Sequence, residues 1–295
     1  MEKSIINKNI IIKGIGGFYY VKTADGIFET KPKGIFRNIN IKPLAGDFVE
    51  IEEVNGDYVI TEIHKRKNSF LRPPIANVDK VFIVISTVEP PPNYTVIDKM
   101  TAICIKKGIV PDIIITKTDL LKDDGVFGIY EKSGFSVTDI NGENAYKEII
   151  AMMKGGLSVF AGNTGVGKST VLNRLFSHLN LETAKISRKL GRGRHTTRAV
   201  EIYDFEGGSV ADTPGFSYID TEREQPLYDD EIEHLFPEIS PHIGKCRFND
   251  CSHTSEIGCA VIEKVKSKEI SESRYKSYCD IRKEAEGISR WEQND

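Results

Sequence analysis

The sequence predicts a multi-domain α/β chain: an OB-like β-barrel, then a parallel sheet with helices on both faces, then a small α-helical domain around a Cys/His cluster. Three observations predict it. Short strand-like runs broken by Gly-Gly, Asp-Gly and Asn-Gly fill residues 1–67. Buried-strand and helix patterns alternate as βαβαβαβ through residues 68–221, around a Gly-x-x-x-x-Gly-Lys-Ser loop. Residues 222–295 carry three cysteines and a histidine at close spacing, followed by helical periodicity.

The bulk properties narrow the function. The chain has 295 residues, 39% apolar and 28% charged, with a net charge of −3, which is ordinary for a globular protein and no polycation. Nucleic-acid contact must therefore come from local patches. Met1-Glu2-Lys3-Ser4 does not open a signal peptide, and no run approaches the ~18 apolar residues of a membrane span. Five cysteines, three of them clustered with a histidine, argue for a reducing compartment and a metal, not disulfides. A cytoplasmic monomer is the expectation.

In the first domain the strands are Ile10–Ile12, Phe18–Val21, Ile27-Phe28, Gly34–Arg37, Asp47–Ile51 and Tyr58–Ile60. Asn-Gly and Asp-Gly between such runs signal hairpins. Five or so strands in about 65 residues suggest a small closed barrel, a fold that often binds single-stranded nucleic acid. Tyr19, Tyr20, Phe36 and Arg37 are the candidate RNA contacts; the alternative is that the aromatics fill the barrel core.

A basic, proline-stopped connection, Arg66–Pro74, leads to a buried strand at Val78–Ser86 and a helix over Tyr94–Lys107. The strand Pro111–Thr116 runs into Thr116-Lys117-Thr118-Asp119. A helix over Lys122–Lys132, a short strand at Phe135–Thr138 and a helix over Glu143–Met153 follow. Ligands bind at the C-terminal ends of parallel strands, where Thr116–Asp119 lies. One carboxylate there, Asp119, can accept both the N1–H and the exocyclic amino group of guanine. Adenine has no N1–H and would leave the carboxylate unpaired. Lys117 would lie along the base or steady the phosphate loop.

The strand Leu157–Ala161 precedes Gly162-Asn163-Thr164-Gly165-Val166-Gly167-Lys168-Ser169-Thr170, and a helical pattern begins at its end. Glycines let the backbone curl its N–H groups onto phosphate oxygens, and the helix N-terminus adds its positive end. Lys168 would neutralise the β/γ-phosphates, and the Ser169 hydroxyl would ligate Mg²⁺. Downstream, Arg188–Arg198 is rich in Arg and Lys, holds two glycines and has no acid. Such a loop suits RNA phosphates and can be ordered by a γ-phosphate. Thr196 or Thr197 would supply a second Mg²⁺-ligating hydroxyl. A strand over Ala199–Phe205, a hairpin at Glu206-Gly207-Gly208 and a further run end in Asp212-Thr213-Pro214-Gly215. This sets Asp212 near the magnesium through water and the Gly215 N–H against the γ-phosphate.

Phosphate loop, Asp-Thr-Pro-Gly and Thr-Lys-x-Asp together resemble a translation-factor-type GTPase with the guanine motif moved to the front, the circularly permuted arrangement. With a barrel before it, Arg194-His195-Thr196-Thr197 within it and the Cys/His cluster after it, nearly the whole chain resembles the ribosome small-subunit-dependent GTPase A family. The resemblance implies a Mg²⁺-dependent GTP hydrolase of late small-subunit maturation. Such a protein binds rRNA near the decoding region, is stimulated by the subunit and is released on hydrolysis. Many GTPases orient the attacking water with a glutamine just after Asp-x-x-Gly. Phe216 stands there, so intrinsic hydrolysis should be slow. The family implies His195 as the substitute; binding rRNA phosphate is its other reading. Val137-Thr138-Asp139 stands where the family's guanine O6 segment falls.

The cluster Cys246-x₄-Cys251-x-His253-x₅-Cys259 offers three thiolates and one imidazole, a closed tetrahedral set for one structural Zn²⁺. His242 and Cys279 fall outside it. Helical spacing from Val261 to Trp291 predicts helices for docking or packing. A different class of function remains open: a nucleotide-gated RNA-binding module in which turnover is incidental.

Overall fold

The structure is a computed structural model describing residues 9–38, 41–121, 125–179, 181, 200–212, 226–286 and 288, with residues 37 and 38 described by backbone alone. These residues form two compact units. One holds the chain up to Val81, Tyr146–Ala161 and the stretch from Lys168 to Asp212. The other holds Phe82–Ala145, Gly162–Gly167 and the chain from 226 onward.

The chain opens with β1 (Ile10–Ile15), β2 (Phe18–Lys22), β3 (Ile27–Pro32), α1 (Ile35–Asn38), β4 (Val49–Val54) and β5 (Asp57–Ile63). Pairing runs β1-β2-β3-β5-β4, with β3 and β5 parallel and the other pairs antiparallel. An antiparallel bridge between Ile10 and Phe48, with the Ile11 N–H on the Asp47 carbonyl at 2.9 Å, returns β4 to β1 and closes a five-stranded barrel of OB type. Two-residue turns set its register. Gly16-Gly17 (φ +60° and +87°) and Asn55-Gly56 (φ +55° and +85°) supply the positive φ values that tight hairpins require.

Ile11, Tyr19, Val21, Phe36, Val49 and Ile60 fill the barrel. The stretch Gly34–Arg37, expected as a strand, is the one-turn helix α1. β3 is already paired on both sides, by β2 and β5, so no edge is free for another strand there. Phe36 instead packs into the core while Ile35 stays exposed. Arg66, at the start of the basic connection, clamps the buried Asp47 carboxylate with Nε and Nη2 at 2.7 and 2.8 Å.

A small ladder, β6 (Ser69–Phe70) with β7 (Ile75–Ala76), leads to β8 (Lys80–Ser86) and α2 (Tyr94–Lys106). Then come β9 (Asp112–Thr116), α3 (Val126–Lys132), β10 (Val137–Asp139), α4 (Ala145–Met153), β11 (Leu157–Ala161) and α5 (Lys168–His178). α2 is capped by the Asn93 side chain, which accepts the Val96 N–H at 3.2 Å. In the second unit β10, β9 and β8 pair in parallel, and all five residues of β9 are buried. Strands buried along their whole length, as β9 is with Ile113, Ile114 and Ile115 at its centre, are covered on both faces. In the first unit β11 pairs in parallel with β13 (Gly208–Asp212), and β13 pairs antiparallel with β12 (Glu201–Phe205) across the Glu206-Gly207 turn. The sheet is therefore mixed, because this tight hairpin cannot make a parallel crossover. β12 meets β1 of the barrel at Lys13 and Glu201, whose side chains pair at 3.2 Å.

The C-terminal part is helical: α6 (Asp229–Ile232), two short 3₁₀ turns (Glu233–Leu235 and Ser240–His242), α7 (Ala260–Lys266) and α8 (Glu272–Ala285). Arg274 of α8, fully buried, holds it to α2. Its guanidinium donates to Asp98 of α2 (2.7 Å) and Thr101 (3.2 Å) and forks onto Glu238 (2.6 and 3.1 Å). The rings of Phe236, Phe135 and Tyr130 surround it at 4.6, 5.3 and 5.9 Å. Among the described residues, no helix is long and apolar enough to cross a membrane.

Candidate active site

Within the second unit, local geometry brings Thr116–Asp119 against the Gly162–Gly167 loop. β9 delivers Thr116 to its C-terminal end, and the buried Thr116 hydroxyl donates to the Val166 carbonyl at 2.6 Å. This bond ties the guanine motif to the phosphate loop 50 residues later. Lys117 turns at φ +61° and its ammonium reaches the Glu89 carbonyl. Thr118 donates to Asp139 at 2.8 Å, and the Asn141 amide lies against both Thr118 (2.7 Å) and Asp119 (3.2 Å). Asp119 is exposed.

Gly162, Gly165 and Gly167 have φ of +153°, +89° and +91°. At Gly162 a Cβ would stand 2.5 Å from the Val84 carbonyl oxygen, so no other residue fits there. Val166 is buried beneath the loop, and its N–H meets the Asn163 carbonyl at 3.3 Å. Asn163, Thr164 and Gly165 stay partly or fully exposed on the outer side.

Lys168 opens α5, with Ser169 and Thr170 exposed on the first turn. Burial lowers the Lys168 pKa to about 8, and the Asp212 carboxylate opposes that shift. Asp212 is itself buried at the C-terminal end of β13. A half-buried lysine whose charge interacts with a buried carboxylate suits an anion bridged by a divalent cation. His195, Thr196, Thr197, Gly215, Phe216 and the whole Arg188–Arg198 loop lie outside the described residues.

The second cluster is in the C-terminal part. The Sγ of Cys246, Cys251 and Cys259 and a ring nitrogen of His253 all lie within 4.8 Å of one another. Cys246 Sγ is 3.8 Å from Cys259 Sγ, and His253 Nδ1 is 3.4 and 3.5 Å from those two sulfurs. The group could hold one metal ion. Burial pushes the Cys251 thiol up to about 12, so a cation is what would make it a thiolate. The far nitrogen of His253, Nε2, faces the Glu233 carboxylate at 3.4 Å. Glu256 ties the loop by accepting from the backbone of Ser252, Thr254 and Ser255.

On the barrel, Tyr19 and Phe36 belong to the core and are unavailable to RNA; this corrects their reading as contacts. Tyr20 is on the surface, its hydroxyl donating to Glu29 at 2.8 Å. The Arg37 side chain is outside the described residues. Asn141, Glu233 and Arg274 had no motif to mark them; each acts on a partner 20 to 176 residues away.

Residues 63–222 match the family model for the RsgA GTPase, and residues 8–60 match that for the RsgA N-terminal domain. The chain belongs to the RsgA GTPase family. It hydrolyses GTP. The chain is 40% identical over 277 residues to the small ribosomal subunit biogenesis GTPase RsgA of Streptococcus pneumoniae, covering 94% of each. It is 43% identical over 280 residues to that of Halalkalibacterium halodurans, covering 92% of this chain and 94% of the relative. YjeQ from Thermotoga maritima shares the fold with a TM-score of 0.76 and 29% identity over 96% of this chain and 99% of its own. YloQ, a circularly permuted GTPase, does so with a TM-score of 0.74 and 31% identity over 97% and 98%. The permuted order, Thr116–Asp119 before Gly162 and Asp212 after it, agrees with that fold.

Proposed function

We propose that this GTPase acts in late maturation of the small ribosomal subunit, binding rRNA near the decoding region and leaving on GTP hydrolysis. The observation that carries the reading is the Thr116–Val166 hydrogen bond. It joins a guanine motif to a phosphate loop in permuted order, on a chain alike end to end with proteins named for small-subunit biogenesis. The domains are 1–67 (barrel), 68–221 (GTPase) and 222–295 (metal-stapled helices), and the protein works as a cytoplasmic monomer.

In this reading Asp119 takes the guanine N1–H and amino group, with Lys117 along the base and Thr116 and Thr118 holding the motif. The amides of Gly162 to Gly167 cradle phosphates, Lys168 neutralises the β/γ-phosphates and Thr170 flanks Ser169. Ser169, Thr196 or Thr197, and Asp212 through water would hold Mg²⁺, which draws charge from the γ-phosphate as it transfers. The buried Asp212 beside Lys168 fits that role. The Gly215 N–H senses the γ-phosphate. His195 either orients the attacking water or binds rRNA phosphate. Cys246, Cys251, His253 and Cys259 would hold one structural Zn²⁺. Two Zn–S bonds of about 2.3 Å at a tetrahedral angle would put their sulfurs about 3.8 Å apart, and the Cys246–Cys259 separation is 3.8 Å.

Steady-state GTP hydrolysis with and without purified small and large subunits tests the function. Stimulation by small subunits alone is expected. Turnover unchanged by either subunit, with nucleotide-dependent RNA binding intact, would favour the RNA-binding module instead.

A further inference from the structure

We infer that Asn141 is a positioning residue for guanine selection, holding the Asp119 carboxylate ready before the base arrives. This rests on the proposed role of Asp119. Asp119 is exposed, so burial does not fix its rotamer. The Asn141 amide nitrogen lies 3.2 Å from Asp119 Oδ1 and 2.7 Å from Thr118 Oγ1.

Only the NH₂ end of the amide fits that position. A carboxylate has no proton to give, and the Thr118 hydroxyl directs its single proton to Asp139 at 2.8 Å. Both neighbours are therefore acceptors, and both amide protons are used. Asn141 is itself anchored, its backbone N–H donating to the same Asp139 oxygen at 3.0 Å. Asp139 thus fixes Thr118 and Asn141, and these two bracket Asp119. A carboxylate oxygen has two acceptor sites, so Oδ1 can keep the Asn141 bond while it also accepts a base N–H. Bidentate recognition depends on the carboxylate plane, and holding that plane in advance lowers the cost of ordering it on binding.

The test is equilibrium binding of GDP, IDP and ADP to the full chain, competed against a fluorescent GDP. IDP keeps N1–H but lacks the amino group, so it makes one bond to Asp119 where GDP makes two. Asn141→Ala is expected to weaken GDP about tenfold and IDP less, narrowing the GDP:IDP ratio. Asn141→Asp, similar in size but without the donor and bringing a second carboxylate beside Asp119, should narrow it further. A general loosening of the site would weaken all three nucleotides alike and leave the ratio at its wild-type value; that result overturns the inference. The control is Asp119→Asn, whose amide can donate to the C2 carbonyl of xanthine. Preference for XDP there upholds the reading of Asp119 independently of Asn141. Failure to gain XDP overturns that reading and the inference with it.

Discussion

Replacing Arg274 with methionine removes the one guanidinium among two buried carboxylates and three rings. Arg274 and Asp98 have fully buried side chains and Glu238 is 3% exposed. Burial works against the guanidinium charge, yet Asp98 and Glu238 hold its pKa above the ordinary arginine value. Methionine restores most of the apolar packing but strands two carboxylates, one of which, Asp98, already has an unpartnered oxygen. Breaking a buried pair from one side costs about 3–5 kcal/mol. At 1.36 kcal/mol per decade, amides of α8 should exchange with solvent deuterium roughly 10²–10⁴ times faster. The measurement is hydrogen exchange of α8 and α2, which avoids assuming two-state unfolding of a multi-domain chain. Adding Asp98→Asn to Arg274→Met should recover part of the loss, because it removes the stranded charge. Exchange within threefold of wild type in Arg274→Met, or strict additivity with Asp98→Asn, would refute the reasoning.

Three further outcomes follow from the geometry. Lys168, with its pKa lowered to about 8 in the free protein, is charged below that value and neutral above it. Nucleotide affinity should therefore be level near neutrality and fall up to about tenfold per pH unit above pH 8, with the slope lost in Lys168→Arg; fluorescent GDP titration across pH reads it. Glu233→Ala should weaken the metal about 10–100-fold in chelator competition, because the carboxylate facing His253 Nε2 favours metal binding through Nδ1. Gly46→Ala should destabilise by about 2 kcal/mol or more: φ is +89° and the new Cβ would stand 2.1 Å from the Ala76 carbonyl oxygen. Gly16→Ala, at φ +60° with nothing within 4 Å, should cost about 1 kcal/mol. Hydrogen exchange of the barrel strands β1 and β2 separates the two.

Much of the site is legible in sequence because its chemistry is local. The proposed phosphate loop, Gly162–Ser169, is contiguous, and the proposed guanine motif, Thr116–Asp119, directly follows a strand. The spacing of Cys246, Cys251, His253 and Cys259 is what would let one short loop surround one ion. The barrel's hairpins were equally open, since Gly16-Gly17 and Asn55-Gly56 encode their turns in two residues. Gly34–Arg37 misled because two apolar residues in a row satisfy a strand as well as a single helical turn; the full pairing of β3 decided between them.

The residue order alone carries the nucleotide motifs, their permuted arrangement, the Cys/His set and the alternation of strands and helices. Only the tertiary structure decided that Tyr19 and Phe36 are core, that Asn141 brackets Asp119, that Glu233 backs His253 and that Arg274 is fully buried. In a helix reading Glu-Ser-Arg-Tyr-Lys-Ser-Tyr, Arg274 is one cation among charges, and its partner Asp98 lies 176 residues away. Motifs are readable because neighbours in the chain act on one ligand. A buried charge is not, because what makes it tolerable comes from distant segments that only folding brings together.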